Sequence, residues 1–267
     1  MKFTWLVLAL QVAGKGGDFE DEAYTNKYLA TIFIFKKVRA AGVFYTDDIV
    51  LTAASTSQLH IKYYRVVKHP HETINFESVK ACSNSSVVRI VIHPDYVMDK
   101  VPRNNIALMK VNISSTRTTG LFLDHNHLAS TSDLPTRLLG WAWQSSINGD
   151  ALFDFQLPTL DVTTCRRSHY FDIHTPSEFC AGFYSKNYES MYLLPGSPLL
   201  MHTKHHSILV GILSWTESYG VADFYQPPVF TAINHFHSWA LRLLAMKSLK
   251  GYSDAIQLTY DPHLELN

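Results

Sequence analysis

The sequence has few of the residues that would assign it to a specialised class of protein. Only 3 cysteines, 12 glycines and 11 prolines occur among 267 residues, which excludes a disulfide-dense, collagen-like or low-complexity disordered chain. The 23 basic residues are balanced by 23 acidic ones, so no overall positive charge attracts nucleic acid or an anionic membrane. Hydrophobic residues make up 46% of the chain, enough to form a large core.

The first 16 residues resemble a secretory signal peptide. A basic Lys2 precedes a short apolar run that ends in the small residues Ala13 and Gly14. This run is much shorter than the ~20 apolar residues that a membrane-spanning helix needs. We therefore predict a secreted, extracellular protein without membrane insertion. Two sequons, at Asn84 and Asn112, are predicted glycosylation sites and agree with export.

The rest of the chain reads as short strands separated by turn residues, a pattern typical of barrels or sandwiches. An amphipathic helix is predicted from about residue 233 to 247, followed by a polar, loosely ordered tail over 248–267. The predicted strands cover residues 28–35, 49–54, 61–67, 87–93, 106–111, 138–143, 153–160, 198–202 and 208–215.

Several short motifs, in a fixed order, resemble landmarks of the trypsin-like serine protease family. Leu51-Thr52-Ala53-Ala54 resembles the segment before the catalytic histidine, and Gly196-Ser197-Pro198-Leu199 resembles the end of the nucleophile motif. Other matching segments are His93-Pro94-Asp95-Tyr96, Asn105-Ile106-Ala107-Leu108, Gly140-Trp141, Phe179-Cys180-Ala181-Gly182 and Gly211-Ile212-Leu213-Ser214-Trp215. The ordered set extends from about residue 28 to 240.

This resemblance implies an all-β fold of two six-stranded antiparallel β-barrels with a C-terminal helix and a site between the barrels. The homology domain is expected over 17–247, with the N-terminal barrel ending near 125 and the C-terminal barrel beginning near 135.

The chain departs from the family at each catalytic position that the resemblance implies. Ser55 stands at the catalytic histidine, Asn105 at the aspartate and Pro195 at the nucleophilic serine. A serine hydroxyl cannot serve as a general base near neutral pH, and proline has neither a hydroxyl nor a backbone N–H. On this basis we predict a pseudoenzyme.

The oxyanion and activation positions differ as well. Leu193 replaces a glycine that donates one oxyanion N–H, and Pro195 removes the second donor. Leu194 replaces the acidic partner of the N-terminus that activation cleavage creates, and residues 15–21 contain no recognisable activation segment. Ser197 lies two residues beyond the nucleophile position and has no motif histidine to activate it, so we do not expect it to act as a substitute.

The resemblance also implies a specificity pocket and one disulfide. Glu189 falls at the pocket floor, whereas Thr216 and Tyr225 replace glycines of the pocket wall, so a degenerate, filled pocket is expected. Cys165 and Cys180 match one family disulfide, which an exported protein can form.

Cys82 is left over, either as a free thiol, which we favour, or as an intermolecular bridge. The 14 histidines lack the accompanying ligands and spacings of zinc sites, so neither a metal nor a cofactor is expected.

These observations favour a protein-binding or regulatory scaffold that is not an enzyme. The expected partner is an extracellular protein: an active protease, its substrate or an inhibitor. A serine-type endopeptidase with an unconventional site is a second possibility, and it requires a serine hydroxyl within hydrogen-bond reach of a histidine. A third is an extracellular carrier of a small molecule or glycan, which requires an open apolar cavity.

Overall fold

The computed structural model describes residues 28–68, 85–113, 121–144, 149–182, 191–203, 206–216, 221–222, 226–245 and 256–258. The strands of the N-terminal half are β1 (Leu29–Ile34), β2 (Lys37–Phe44), β3 (Ile49–Thr52), β4 (Tyr64–Lys68), β5 (Ser85–Ile92), β6 (Val97–Met98), β7 (Pro102–Arg103) and β8 (Ala107–Val111). Those that follow are β9 (Leu121–Leu123), β10 (Arg137–Gln144), β11 (Gly149–Gln156), β12 (Glu178–Cys180), β13 (Met191–Leu193), β14 (Pro198–His202), β15 (Ser207–Trp215), β16 (Val221–Ala222), β17 (Val229–Ala232) and β18 (Ile256–Leu258). The helices are α1 (Val162–Arg167) and α2 (Ile233–Ala245), and 3-10 turns cover Ala54–Thr56, Ile61–Tyr63 and Leu128–Ser130.

Six antiparallel strands of the N-terminal half close into a barrel. The strand order is β5-β4-β1-β2-β3-β8, and β8 pairs back onto β5. Apolar side chains from these strands fill the interior, among them the fully buried Ile32, Val66, Ile90 and Met109. Closure satisfies the main-chain hydrogen bonds of strands that would otherwise lie at an edge.

The second half forms a sheet in the order β12-β17-β15-β14-β10-β13-β16, with β11 also paired to β10 and β9 parallel to β15. Main-chain hydrogen bonds from Leu160 N to Cys180 O (2.9 Å) and from Gly182 N to Pro158 O (3.0 Å) join the segment after β11 to the end of β12. The path β11-β10-β14-β15-β17-β12 is thereby closed into a second six-stranded barrel. The predicted all-β fold is confirmed.

Helix α2 packs across both barrels, which confirms the predicted C-terminal helix. Its buried face carries Phe236, Trp239 and Leu243, which belong to one core cluster with residues of β3, β8 and β15. The spacing of these side chains is that of one helical face. No helix in the described part of the chain has the length and apolarity needed to cross a bilayer.

Nine of the described strands lie outside the predicted ranges, namely β2, β6, β7, β9, β12, β13, β16, β17 and β18, and two of them show why. Strand β2 was not predicted, because its two exposed basic residues and its small Ala40-Ala41-Gly42 lack the β-branched run that marks a strand. Strand β18 pairs antiparallel with β5 inside the 248–267 segment that was expected to be a loosely ordered tail. Residues 256–258 are placed by main-chain pairing, which composition does not reveal.

The predicted disulfide between Cys165 and Cys180 is confirmed. It joins α1 to β12, with a Cα–Cα distance of 5.5 Å, and both residues are buried. Asp161 caps α1 by accepting hydrogen bonds from the main-chain N–H groups of Thr163 and Thr164, both at 2.9 Å. Cys82 lies outside the described residues.

Replacing both Cys165 and Cys180 by alanine should lower the free energy of unfolding by about 3 kcal/mol, because the bridge closes a loop between residues 15 positions apart. Urea unfolding of the wild type and the double variant measures this difference. Equal midpoints and equal slopes would show that the bridge does not stabilise the fold.

Candidate functional site

A cavity of about 330 Å³ lies between the two barrels. The N-terminal half contributes the 3-10 turn after β3 and the short strands β6 and β7, and the C-terminal half contributes the ends of β13 and β15 with the loop before β14. The residues that line it are Ser55, Thr56, Met98, Pro102, Leu193, Pro195, Leu213, Ser214, Trp215 and Thr216. Among the described residues the lining includes no charged residue and no histidine, so the chemistry of this part is that of hydroxyls, main-chain groups and apolar surface.

Asn105 holds the two sides of this cavity together. Its carboxamide is 1% exposed, and Oδ1 accepts a hydrogen bond from the main-chain N–H of Ser55 (2.8 Å). Nδ2 donates to Ser214 Oγ (2.9 Å), to Ser214 O (3.2 Å) and to Ser55 Oγ (3.2 Å). Thr231 Oγ1 donates to the main-chain oxygen of Asn105 at 3.1 Å, which adds a further link to the C-terminal barrel.

The carboxamide is chemically matched to this position. A carboxylate can only accept hydrogen bonds, whereas the carbonyl oxygen of Ser214 requires a donor. Because Asn105 both donates and accepts, it satisfies Ser55 and Ser214 without placing an unpaired charge in the interior. The structure thus brings two of the predicted site residues, Ser55 and Asn105, into direct contact.

Pro195 begins a tight turn and lines the cavity. Its carbonyl oxygen accepts a hydrogen bond from Ala41 N (3.0 Å), and Gly196 N donates to Leu213 O (2.8 Å). Gly196 has φ +87°, and a Cβ at this position would overlap Ala41 O. Glycine is therefore required for the turn that presents Pro195 to the cavity.

Ser197 faces away from the cavity. Its side chain is fully buried, and its hydroxyl donates to Leu194 O at 2.8 Å. Its proton is therefore bonded to a main-chain carbonyl, and the expectation that Ser197 does not substitute for a nucleophile stays a prediction.

Leu193 and Leu194 both pack against apolar side chains. Leu193 ends β13, pairs with Ala142 of β10 and is 4% exposed. Leu194 packs against a cluster that includes Val67 and Trp141, and its main-chain N–H bonds to Trp141 O at 3.2 Å. The correspondence of Leu194 to an acidic position of the family stays a prediction, and residues 15–21, the expected site of an activation segment, lie outside the described residues.

Trp215 forms one wall of the cavity and rests on a buried carboxyl group. Its Nε1 donates to Glu178 Oε1 at 3.3 Å, and His174 N donates to Glu178 Oε2 at 2.9 Å. The rings of His169 and Phe171 pack against the indole with centroid distances of 5.2 and 6.3 Å. The wall is therefore held from behind by hydrogen bonds and ring contacts.

Burial raises the pKa of Glu178 above its ordinary value of 4.5, although the hydrogen bonds from His174 and Trp215 oppose this shift. The folded protein consequently holds this proton to a higher pH than the unfolded chain does. The contribution of Glu178 to stability therefore falls as the pH rises from about 4.5 through the raised pKa.

The other predicted site residues are only partly described. Thr216 lines the cavity, and its Oγ1 is buried without a hydrogen-bond partner among the described residues. Glu189, Tyr225 and Asn84 lie outside the described residues, so the expected filled pocket stays a prediction. Asn112 is exposed, as a glycosylation site must be.

Sequence reasoning missed two parts of the site. Glu178 reads as an ordinary charged residue, and only the fold places it behind Trp215. Ser214 belongs to the matching segment 211–215, but no role in the site was predicted for it. Its position directly before Trp215 was the available signal of such a role. The described residues contain no group of three His, Cys, Asp or Glu side chains that could hold a metal ion.

Comparison with known proteins identifies the family. The family model described as Trypsin matches residues 16–240. The chain belongs to the trypsin family. It is 25% identical to Trypsin epsilon of Drosophila erecta over 85% of this chain and 86% of that protein. Mast cell protease 3 of Ovis aries is 25% identical over 93% of this chain and 98% of its own length. Chymase of Canis lupus familiaris is 25% identical over 85% and 89%.

These relatives correct one prediction. All three are named as proteases or trypsins and match most of this chain, so the prediction that the chain is a pseudoenzyme, not an enzyme, is wrong. The inference went too far because substitutions at Ser55, Asn105 and Pro195 show only which groups the Ser-His-Asp mechanism would lack. These substitutions do not exclude hydrolysis by a different set of catalytic groups.

Replacing Asn105 by aspartate should lower the free energy of unfolding by about 2 kcal/mol at pH 7, because a buried carboxylate would face the Ser214 carbonyl. The same change at the exposed Asn126 serves as the control. The deficit should shrink as the pH falls through the raised pKa of the buried carboxyl, and it should be smallest below about pH 4, where both states hold that carboxyl neutral. Denaturant unfolding at several pH values measures the difference in the free energy of unfolding. An N105D protein that is as stable as the wild type at every pH would contradict the hydrogen bonds assigned to the buried Asn105 carboxamide.

Proposed function

We propose that the cleft between the barrels binds a polypeptide segment and that the chain acts as a protein-binding or regulatory member of the trypsin family. The Thr216 hydroxyl in the cleft, which has no hydrogen-bond partner among the described residues, is the observation that supports this most directly. A buried polar group without a partner is costly, and a carbonyl or N–H group of a bound chain would satisfy it. The apolar surface of Met98, Leu213 and Trp215 would contact the side chains of that segment.

The hydrogen bonds around Asn105 also support a binding role. They fix Ser55 on one side of the cleft and Ser214 on the other, so the walls are held in place before a ligand arrives. A preformed cleft loses less conformational entropy on binding than a flexible one. Affinity therefore depends on the neutral network of Asn105 rather than on a charged group.

We further propose that the protein is secreted and glycosylated. The signal-like first 16 residues, the disulfide between Cys165 and Cys180 and the exposed sequon residue Asn112 support this. The partner would then be an extracellular protein: an active protease, its substrate or an inhibitor.

A photo-reactive benzoylphenylalanine at Met98, which is 55% exposed, should form covalent adducts with a bound polypeptide in the native extracellular fluid, because that exposed side chain lines the cleft. The same group at Phe122, 54% exposed on β9 outside the cleft, is the matched control. Mass spectrometry after irradiation identifies the adducts. Equal yields at both positions, or no adduct at Met98, would contradict binding in the cleft.

Proteolysis is a second candidate function, favoured by the names of the relatives. Hydrolysis in the cleft should be abolished by Thr216→Trp, which fills the cavity, and retained by Phe122→Ala. Turnover of a peptide library by the purified variants measures this. Cleavage that persists unchanged in Thr216→Trp would come from elsewhere and would count against this candidate.

A further inference from the structure

Exposed aromatic and basic side chains cluster at the turn between β1 and β2 and at the neighbouring 3-10 turn before β4. We refer to this cluster as the hairpin patch; its members are Phe35, Lys36, Lys37, Lys62, Tyr63 and Arg65, all exposed. None of them lines the cavity between the barrels. The hairpin patch is therefore a surface separate from the cleft.

An aromatic pair forms the centre of the hairpin patch. The rings of Phe35 and Tyr63 have centroids 4.5 Å apart, and Phe35 N donates to Tyr63 O at 3.2 Å. These contacts connect the two turns, yet Phe35 is 60% and Tyr63 37% exposed. The pair is thus ordered by mutual contact and presents apolar surface to solvent, as the centre of a protein interface does.

The backbone at Phe35 makes this aromatic residue unexpected. Phe35 and Lys36 have φ values of 50° and 65°, so both occupy the left-handed region in the two-residue turn between β1 and β2. Turns of this type favour Asn and Gly, and bulky side chains are disfavoured there. Folding alone would favour a different residue at position 35, so the exposed ring points to a role in binding.

Positive charge surrounds the aromatic pair. The Lys62 ammonium lies 5.3 Å from the centroid of the Tyr63 ring, and Arg65 Nη1 donates to the main-chain oxygens of Lys62 (3.2 Å) and Tyr64 (2.7 Å). Lys36 and Lys37 extend the charge along the turn. The structure gives no acidic partner for these cations within its described residues.

Two acidic residues of this barrel contact other cations. Asp47 pairs with Lys68, and Asp48 pairs with Lys110. Although the whole chain has no net charge, the hairpin patch is locally positive. A local field of this kind attracts acidic ligands and accelerates their association.

We propose that the hairpin patch is a docking surface for an acidic polypeptide segment that carries an apolar side chain and belongs to a protein partner. Carboxylates of the segment would contact Lys36, Lys62 and their neighbours, while its apolar side chain would cover the rings of Phe35 and Tyr63. A sulfated polysaccharide would also meet the charges, but it would leave the aromatic surface exposed. The central aromatic pair therefore favours a polypeptide.

A fluorescent ten-residue peptide with four Asp or Glu residues around a central Phe is the probe, measured by anisotropy with the intact protein. Binding should weaken as salt rises, because charges on both sides are screened. Replacing the central Phe of the peptide by Ala should weaken binding about tenfold, as expected for loss of a central apolar anchor. No binding of the original peptide would overturn the proposal.

Phe35→Gly and Lys62→Gln should each weaken peptide binding about tenfold, whereas Arg242→Gln on the exposed side of α2 should have no effect. Because glycine accepts the φ of position 35, Phe35→Gly should not lower the thermal midpoint, so lost binding cannot be attributed to unfolding. Equal affinities of wild type and Phe35→Gly would overturn the proposal. So would a sulfated oligosaccharide that binds more tightly than the peptide and does not depend on Phe35.

Discussion

The hydrogen bonds of the Asn105 carboxamide are the constraint on which the arrangement of the cleft depends. They join a turn of the N-terminal barrel, at Ser55, to a strand of the C-terminal barrel, at Ser214. The two sides of the cleft are consequently held by a neutral group that donates and accepts at once. A carboxylate would require compensation by a positive charge, and the described lining of the cleft provides none.

The protein keeps the main-chain framework of a trypsin-like fold while the side chains at the site differ. The turn at Gly196, the wall at Trp215 and the contact between Asn105 and Ser214 maintain the shape of the cleft. Leu194 packs among apolar side chains, and Glu178 supports Trp215 through a buried carboxyl group. The shape of the cleft is thus maintained by packing and hydrogen bonds, which suits the proposed binding of a polypeptide.

The sequence predicted the fold well because ordered motifs and apolar strands carry that information locally. Pro198–His202 was predicted to the residue, and the pairing of Cys165 with Cys180 followed from the family resemblance. Strand β2 was missed because small and basic residues form it. Glu178 and the hairpin patch could not be predicted, since each depends on contacts between segments far apart in sequence. Catalytic status was inferred too strongly, because missing groups argue against one mechanism alone.

The most direct test of this account is the hydrogen exchange of the Asn105 side-chain amide, measured by NMR against the exposed amide of Asn126. The account predicts exchange at least about a hundredfold slower at Asn105, because its N–H groups are buried and bonded to Ser214 and Ser55. Equal exchange rates at the two residues would contradict it, since the cleft would then lack the interaction that holds its two sides together.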